Sequence, residues 1–121
     1  MPHRIETVDR KRILIWEAPA GTLASEADVS QLLAAAWEND VDWVAVETAT
    51  LHDNFFRLET RLAGDVLQKM VNYGVKLTVV GDITPWLERS NAFRAFVAEA
   101  NRQRPPGFVA SLDSLLAGTA A

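Results

Sequence analysis

Hydrophobic and polar residues follow two different periodicities along the chain, and the shorter one predicts β-strands. Short apolar or alternating runs that are bounded by polar or turn-forming residues are typical of strands. They occur at residues 4–8, 12–16, 43–46, 77–80 and 108–110. Because only the polar tripeptide Asp9-Arg10-Lys11 separates the first two runs, they predict a β-hairpin.

The longer periodicity predicts α-helices between the strands. Ser25 and Asp28 have the spacing of a capping box, and they precede a helical pattern that ends near Asn39 and Asp40. The residues at helical spacing, which we expect to face the core, are Val29, Leu32, Leu33, Ala36 and Trp37.

A second helical pattern follows the strand at residues 43–46, and Gly74 stands where a left-handed C-terminal cap would end it. Gly64 lies inside this pattern, where glycine costs about 1 kcal/mol relative to alanine. We therefore expect the helix to cross a neighbouring element closely at Gly64. The predicted apolar face consists of Leu62, Ala63, Val66, Leu67, Met70 and Val71.

Two more helices are predicted before the last strand. Thr84-Pro85 indicates the start of a short helix, because proline is favoured at the first helical position. Ser90 or Asn91 would cap the next helix, with Phe93, Phe96, Val97 and Ala100 facing inward. A final short helix is predicted at residues 112–116, and residues 118–121 are expected to fray.

A hairpin followed by alternating helices and strands predicts an α/β fold. The expected sheet is mixed but mostly parallel, with the antiparallel strand supplied by the N-terminal hairpin. A chain of 121 residues is long enough to bury a core of its own, so residues 1–121 are expected to form a single domain.

Composition and charge exclude several classes of function. The formal net charge of −4 argues against nucleic-acid binding, which needs clustered positive charge. The chain has no cysteine, which excludes disulfides, thiolate metal sites and a cysteine nucleophile. No apolar run approaches the length of a membrane span, and no signal-peptide core is present, so we expect a cytoplasmic protein without membrane contact.

Sequence motifs for common enzymes are also absent. The chain contains neither a Gly-x-Ser-x-Gly nucleophile motif nor a phosphate-binding or dinucleotide-binding glycine loop. His3 and His52 are the only histidines, which is too few for a histidine metal site without distant partners. We therefore predict no metal and no cofactor, and we name no catalytic residue.

One constellation of polar residues could form a ligand site. Ligands of open parallel sheets bind outside the carboxyl ends of the strands. Six residues follow predicted strand ends, and we call them the carboxylate rim: Glu47, Asp53, Arg57, Glu59, Asp82 and Trp86. In the competing interpretation, Asp53 caps a helix, Asp82 satisfies a turn, and Arg57 and Glu59 pair loosely at the surface.

The aromatic pair Phe55 and Phe56 has two interpretations as well. The pair could hold a reactive site in place, or it could pin a loop to the core as a hydrophobic staple at the start of the following helix. The apolar residues Leu58 and Leu62 nearby favour the second interpretation.

The segment FFRLETRLAGDVLQKMVNYGVKLTVVGD, together with FVAEANRQR, resembles a known bacterial family, domain of unknown function 4180. The most specific part of the resemblance is Ala63-Gly64, then Gln68-Lys69, then Asn72-Tyr73. The resemblance covers almost the whole chain. It implies a fold rather than an activity, because the family has no assigned function.

More distantly, the order of strands and helices is similar to the STAS and anti-sigma-factor-antagonist fold. Proteins of that fold are regulated by phosphorylation of a serine at the start of a helix. No serine lies between Thr48 and Arg61 here, and Thr60 is the nearest hydroxyl. The resemblance therefore implies Thr60 as the candidate for a phosphorylation switch.

Gln68, Lys69 and Asn72 are predicted on the outer face of the second helix, where core packing does not dictate residue type. The family pattern nevertheless includes them, and contact with another chain would explain this. We therefore expect a non-enzymatic regulatory or protein-interaction module of STAS-like fold, which acts on an unknown protein partner or by self-association. The alternative is a small-molecule-binding protein or small enzyme that uses the carboxylate rim.

Overall fold

The computed structural model describes residues 3–8, 11–16, 28–48, 51, 55, 57, 61–102 and 107–111. The strands are β1 (His3–Val8), β2 (Lys11–Trp16), β3 (Trp43–Glu47), β4 (Lys76–Val80) and β5 (Phe108–Val109). The helices are α1 (Val29–Glu38), α2 (Leu62–Asn72), α3 (Thr84–Arg89) and α4 (Asn91–Ala100). Each predicted strand and helix within the described residues is present, with ends that move by a few residues.

The strands form one five-stranded sheet in the order β1-β2-β3-β4-β5. β1 and β2 pair antiparallel, with Val8 opposite Lys11, which confirms the predicted hairpin. The pairs β2–β3, β3–β4 and β4–β5 are all parallel. The predicted α/β fold with a mixed, mostly parallel sheet is therefore confirmed.

The described helices cover one face of this sheet. Parallel connections are right-handed, so helices that link strands in sequential order are placed on the same face. Side chains from α1, α2 and α4 pack with alternate residues of the parallel strands, such as Leu14, Val44 and Val79. Phe55 is fully buried in this main core.

The opposite face of the sheet carries a second buried cluster. Its members come from the intervening strand positions: Ile13, Ile15, Trp43, Ala45 and Val80. Trp43 Nε1 donates a hydrogen bond of 2.9 Å to Thr78 Oγ1 on the neighbouring strand. Both faces of the sheet interior are therefore apolar, as is typical of parallel strands.

Several predicted helix boundaries are confirmed. Ser90 caps α4, and its hydroxyl accepts a hydrogen bond of 3.1 Å from the Phe93 amide. Gly74 has a φ of 71°, as expected of a left-handed residue after a helix. Pro85 lies in the first turn of α3. None of the described helices has the length and apolarity needed to cross a bilayer.

Other expectations about the helices are wrong. Trp37 and Val71 were predicted to face the core, but their side chains are 55% and 69% exposed. Gly64 was predicted at a close helix crossing, yet a Cβ placed there would have no atom of the described residues within 4 Å. α2 begins only at Leu62, so Phe55 does not staple the helix start, although its burial supports the interpretation as a core anchor.

The predicted capping box of α1 is not seen within the described residues. The helix begins at Val29, and Asp28 precedes it without a side-chain capping hydrogen bond. Ser25, Phe56, the predicted helix at residues 112–116 and the tail at residues 118–121 lie outside the described residues.

Candidate functional site

The carboxyl ends of β3 and β4 lie side by side and carry two members of the carboxylate rim. Glu47 is the last residue of β3 and pairs in register with Val80, the last residue of β4. Asp82 follows two positions later, so both carboxylates lie at the same edge of the sheet. Gly81, which precedes Asp82, has a φ of 138°, and an added Cβ would lie 2.6 Å from Thr48 Oγ1. Only glycine allows the two strand ends to approach this closely.

Asp82 has a structural role in the turn that leads into α3. Its Oδ1 accepts a hydrogen bond of 2.9 Å from the Thr84 amide. Hydrogen bonds from the Thr84 side chain and then its backbone lower the pKa of Asp82 below its usual value of 3.8. A general acid or base at neutral pH needs a raised carboxyl pKa, so this environment favours the turn interpretation of Asp82.

The structure describes two of the other four members of the rim. Trp86 lies in α3, half-buried, and packs against the main core. Arg57 is exposed. Asp53 and Glu59 lie outside the described residues, as do the candidate phosphorylation site Thr60 and the histidine His52. Within the described parts of the chain, no three acidic or histidine side chains group closely enough to hold a metal ion.

A second surface lies where α1 and α2 end next to each other. The rings of Trp37, at the end of α1, and Tyr73, just after α2, meet edge to face with centroids 5.5 Å apart. Trp37 is 55% exposed and Tyr73 is 53% exposed. Exposed aromatic side chains of this size are enriched at protein interfaces. We call Trp37, Tyr73, Gln68, Lys69 and Asn72 together the α1–α2 surface.

The polar members of the α1–α2 surface adjoin the aromatic pair. Gln68 Nε2 donates to Asn72 Oδ1 at 2.9 Å, and Lys69 Nζ donates to Ser30 Oγ of α1 at 3.3 Å. A shallow depression of about 340 Å³ is lined by Asp65, Gln68, Lys69, Asn72 and Tyr73. The structure thus brings the three residues predicted as an interaction face into one surface with two exposed aromatic rings.

An apolar groove of about 370 Å³ lies on the other side of α2. α2 and α4 form its walls, and β4 and Phe108 form its floor. The lining is largely aliphatic and includes Leu67, Met70, Leu77 and Val79. This volume is within the range of small-molecule sites, but such sites also place a few polar groups around the ligand. Among the lining residues that the structure describes, Lys76 is the only charged one.

Sequence reasoning missed Trp37, Val71 and Tyr73 as surface residues. For Val71, a signal was present, because a helical wheel places it well outside the arc of Leu62, Ala63, Val66 and Met70. Trp37 gives no such signal, because its position borders the buried arc of α1 and tryptophan is a common core residue.

Comparison with known proteins places the chain in a family. A family model described as a domain of unknown function (DUF4180) matches residues 8–118, so the chain belongs to this family. The predicted resemblance to that family is confirmed. Neither the curated proteins nor the solved structures include a match to the chain.

Proposed function

We propose that this DUF4180 protein is a non-enzymatic interaction module of STAS-like fold that binds another polypeptide through the α1–α2 surface. The observation that carries the proposal is the edge-to-face pair of Trp37 and Tyr73, two large aromatic rings that are each more than half exposed. The order of elements, a hairpin followed by alternating helices and strands, supports the STAS-like part of the proposal.

The energetics of the aromatic pair favour a binding role over a folding role. Rings that remain exposed contribute little transfer free energy to folding, because the hydrophobic effect scales with the apolar area removed from water. A partner that covered both rings would gain that area. Trp and Tyr lose little conformational entropy on binding, because each has only two side-chain torsions.

The polar residues beside the aromatic pair would then orient the bound partner. The amides of Gln68 and Asn72 are exposed, and each offers donors and acceptors beyond the hydrogen bond between them. Lys69 is already held against Ser30 of α1, so its ammonium group is positioned at little further entropic cost. An apolar centre with polar groups around it is the usual anatomy of a protein interface.

Small-molecule binding or catalysis at the carboxylate rim has less support. An enzyme site is expected to show a concave pocket with carboxyl groups of perturbed pKa. At the rim, the pKa of Asp82 is lowered by hydrogen bonds from Thr84 that also define a turn. None of the rim residues that the structure describes lines the apolar groove between α2 and α4.

Site-specific photo-crosslinking in cells would test the proposal. A photoreactive phenylalanine analogue replaces Trp37 in one variant and Tyr73 in a second. In a control variant it replaces Ala95, an exposed residue of α4. We expect the variants at positions 37 and 73 to trap the same polypeptide on illumination, and the control to trap none.

The mass of the adduct identifies the partner. An adduct with twice the mass of the chain indicates a second copy, and any other discrete adduct indicates a different protein, to be identified by mass spectrometry. The proposal is wrong if positions 37 and 73 give no more adduct than position 95.

A further inference from the structure

A polar depression of about 290 Å³ lies at the edge of the sheet where the parallel strands begin, opposite the carboxylate rim. We call it the amino-edge depression. Its lining comes from the start of β2, from the turn between α1 and β3, and from the start of β4. The charged residues of the described lining are Lys11, Arg12, Asp40, Asp42 and Lys76. The depression therefore combines both signs of charge in a volume close to the lower end of the range of small-molecule sites.

The opposite charges in this depression lie near each other without forming ion pairs. The parallel register of β2 and β3, continued by two residues toward the start of each strand, places Arg12 beside Asp42. Among the residues that the structure describes, however, no ion pair joins any two of Lys11, Arg12, Asp40 and Asp42. A ligand that carries both charges can therefore bind these groups without first breaking an ion pair between them.

Asp40 occupies a position that favours a different residue for two reasons. It follows the end of α1, and its φ of 56° lies in the left-handed region. Glycine and asparagine are the usual residues in that conformation after a helix. The C-terminal end of a helix also carries a partial negative charge, which repels a carboxylate. The fold of α1 therefore does not explain why an aspartate stands at position 40.

Backbone hydrogen bonds fix the turn that carries the two carboxylates. The Val41 amide donates to the Ala36 carbonyl at 2.9 Å, which closes the end of α1. The Lys76 amide donates to the Asp42 carbonyl at 2.8 Å, which ties the turn to the start of β4. The backbone positions of Asp40 and Asp42 are therefore set before a ligand binds, and this lowers the entropic cost of binding.

From these observations we infer that the amino-edge depression binds a small zwitterion with an ammonium group and a carboxylate group, such as an α-amino acid. The ligand carboxylate pairs with Lys11 and Arg12, and the guanidinium group can donate two parallel hydrogen bonds to it. The ligand ammonium group donates hydrogen bonds to the carboxylates of Asp40 and Asp42. The inference goes beyond the proposed interaction function, because none of these four residues belongs to the α1–α2 surface.

Isothermal titration calorimetry of the purified chain would test the site. The probes are the proteinogenic L-amino acids, added one at a time, and a second arm with dipeptides distinguishes a free amino acid from a peptide ligand. We expect at least one probe to bind, and we expect Arg12→Gln and Asp42→Asn each to raise its Kd by about tenfold or more. The matched controls Arg89→Gln and Glu88→Gln remove the same charges from exposed positions of α3 and should leave the Kd unchanged.

Asp40→Asn separates loss of binding from loss of folding. Asparagine has nearly the same shape, suits the left-handed conformation and carries no charge that the end of α1 would repel. We therefore expect this variant to have a higher Tm than the wild type and yet to bind the zwitterion at least about tenfold more weakly. Misfolding cannot explain weaker binding by a more stable chain.

Three results would overturn the inference. In the first, none of the amino acids or dipeptides binds the wild type. In the second, a probe binds, but its Kd is the same for the wild type as for Arg12→Gln, Asp42→Asn and Asp40→Asn. In the third, Asp40→Asn lowers the Tm, which would assign the carboxylate a role in folding. Photo-crosslinking at positions 37 and 73 tests a different surface, so either proposal can fail without the other.

Discussion

At the scale of single residues, Asp82 illustrates how a carboxylate at a strand end can serve the fold. It follows Gly81, whose backbone conformation lets the ends of β3 and β4 approach each other. Its carboxylate accepts the Thr84 amide hydrogen bond, which positions the first turn of α3. The hydrogen bonds from Thr84 are stronger to the ionised form, so they lower the pKa of Asp82.

This lowered pKa predicts a dependence of stability on pH. Because the folded-state pKa lies below the usual 3.8, the contribution of Asp82 is present above pH 3.8 and is lost as the pH falls through the folded-state value. Asp82→Asn keeps an acceptor oxygen but does not titrate. We expect the wild type to have the higher urea midpoint at neutral pH and the difference to shrink on acidification below pH 3.8. A difference that is constant with pH, or grows in acid, would contradict the assigned role.

At the scale of elements, one side-chain hydrogen bond links β3 and β4 on the sheet face opposite the described helices. Trp43 Nε1 donates to Thr78 Oγ1 at 2.9 Å. Trp43 is 6% exposed, and Thr78 is fully buried. A buried indole N–H that loses its acceptor cannot recover a hydrogen bond from water, so the pair is more costly to break than a surface contact.

Removal of the acceptor should therefore destabilise the protein. Thr78→Val has a similar shape but no hydroxyl, and we expect it to lower the free energy of unfolding by about 1–3 kcal/mol. In a Trp43→Phe background, which has no indole N–H, the same change should cost clearly less. A double-mutant cycle of urea unfolding measures this coupling. Equal costs in the two backgrounds would show that the hydrogen bond contributes nothing measurable.

Much of the element structure could be predicted from the sequence, because burial inside one chain imposes a period on apolar residues. The apolar run at residues 43–46 and the spacing of Val29, Leu32 and Leu33 predicted buried positions that the structure confirms. Trp37 and Val71 were wrongly predicted to be buried for a physical reason. Periodicity records that a side chain is apolar, and it does not tell whether the core or another molecule covers it.

The candidate site was less predictable than the fold. Gln68, Lys69 and Asn72 were correctly expected to lie on the outer side of α2, because polar residues at those positions do not suit a core. The aromatic pair beside them depends on how the ends of α1 and α2 approach each other in space. The distance between these two helix ends depends on the order of strands in the sheet. The pattern of residues within a single helix or strand does not specify that order.

At the scale of the whole molecule, the strands differ in how firmly the sheet holds them. β3 has a parallel neighbour on each side, with β2 and β4 as its partners. β5 is two residues long and pairs only with β4 in the described structure. A short edge strand has few ladder hydrogen bonds, which lowers its local stability but also makes it a poor template for aggregation.

Native-state hydrogen exchange should report this difference in local stability between the central and edge strands. We expect the slowest exchange for the amides of β3 and of the facing part of β4, because they open only with global unfolding. The amides of β5, at the edge, should exchange faster through local opening. Exchange measured residue by residue by NMR would check the order, and protection of Val109 equal to that of Ala45 would contradict it.

The sequential order of the strands also has a consequence for how the chain folds. Each parallel strand pairs with the strand that precedes it in the chain, roughly thirty residues earlier. Every new strand therefore closes a loop of nearly the same length, at a nearly constant entropic cost. Starting from the hairpin, the sheet can grow in one direction as the chain leaves the ribosome. Each strand arrives at an edge that the preceding segments have already built.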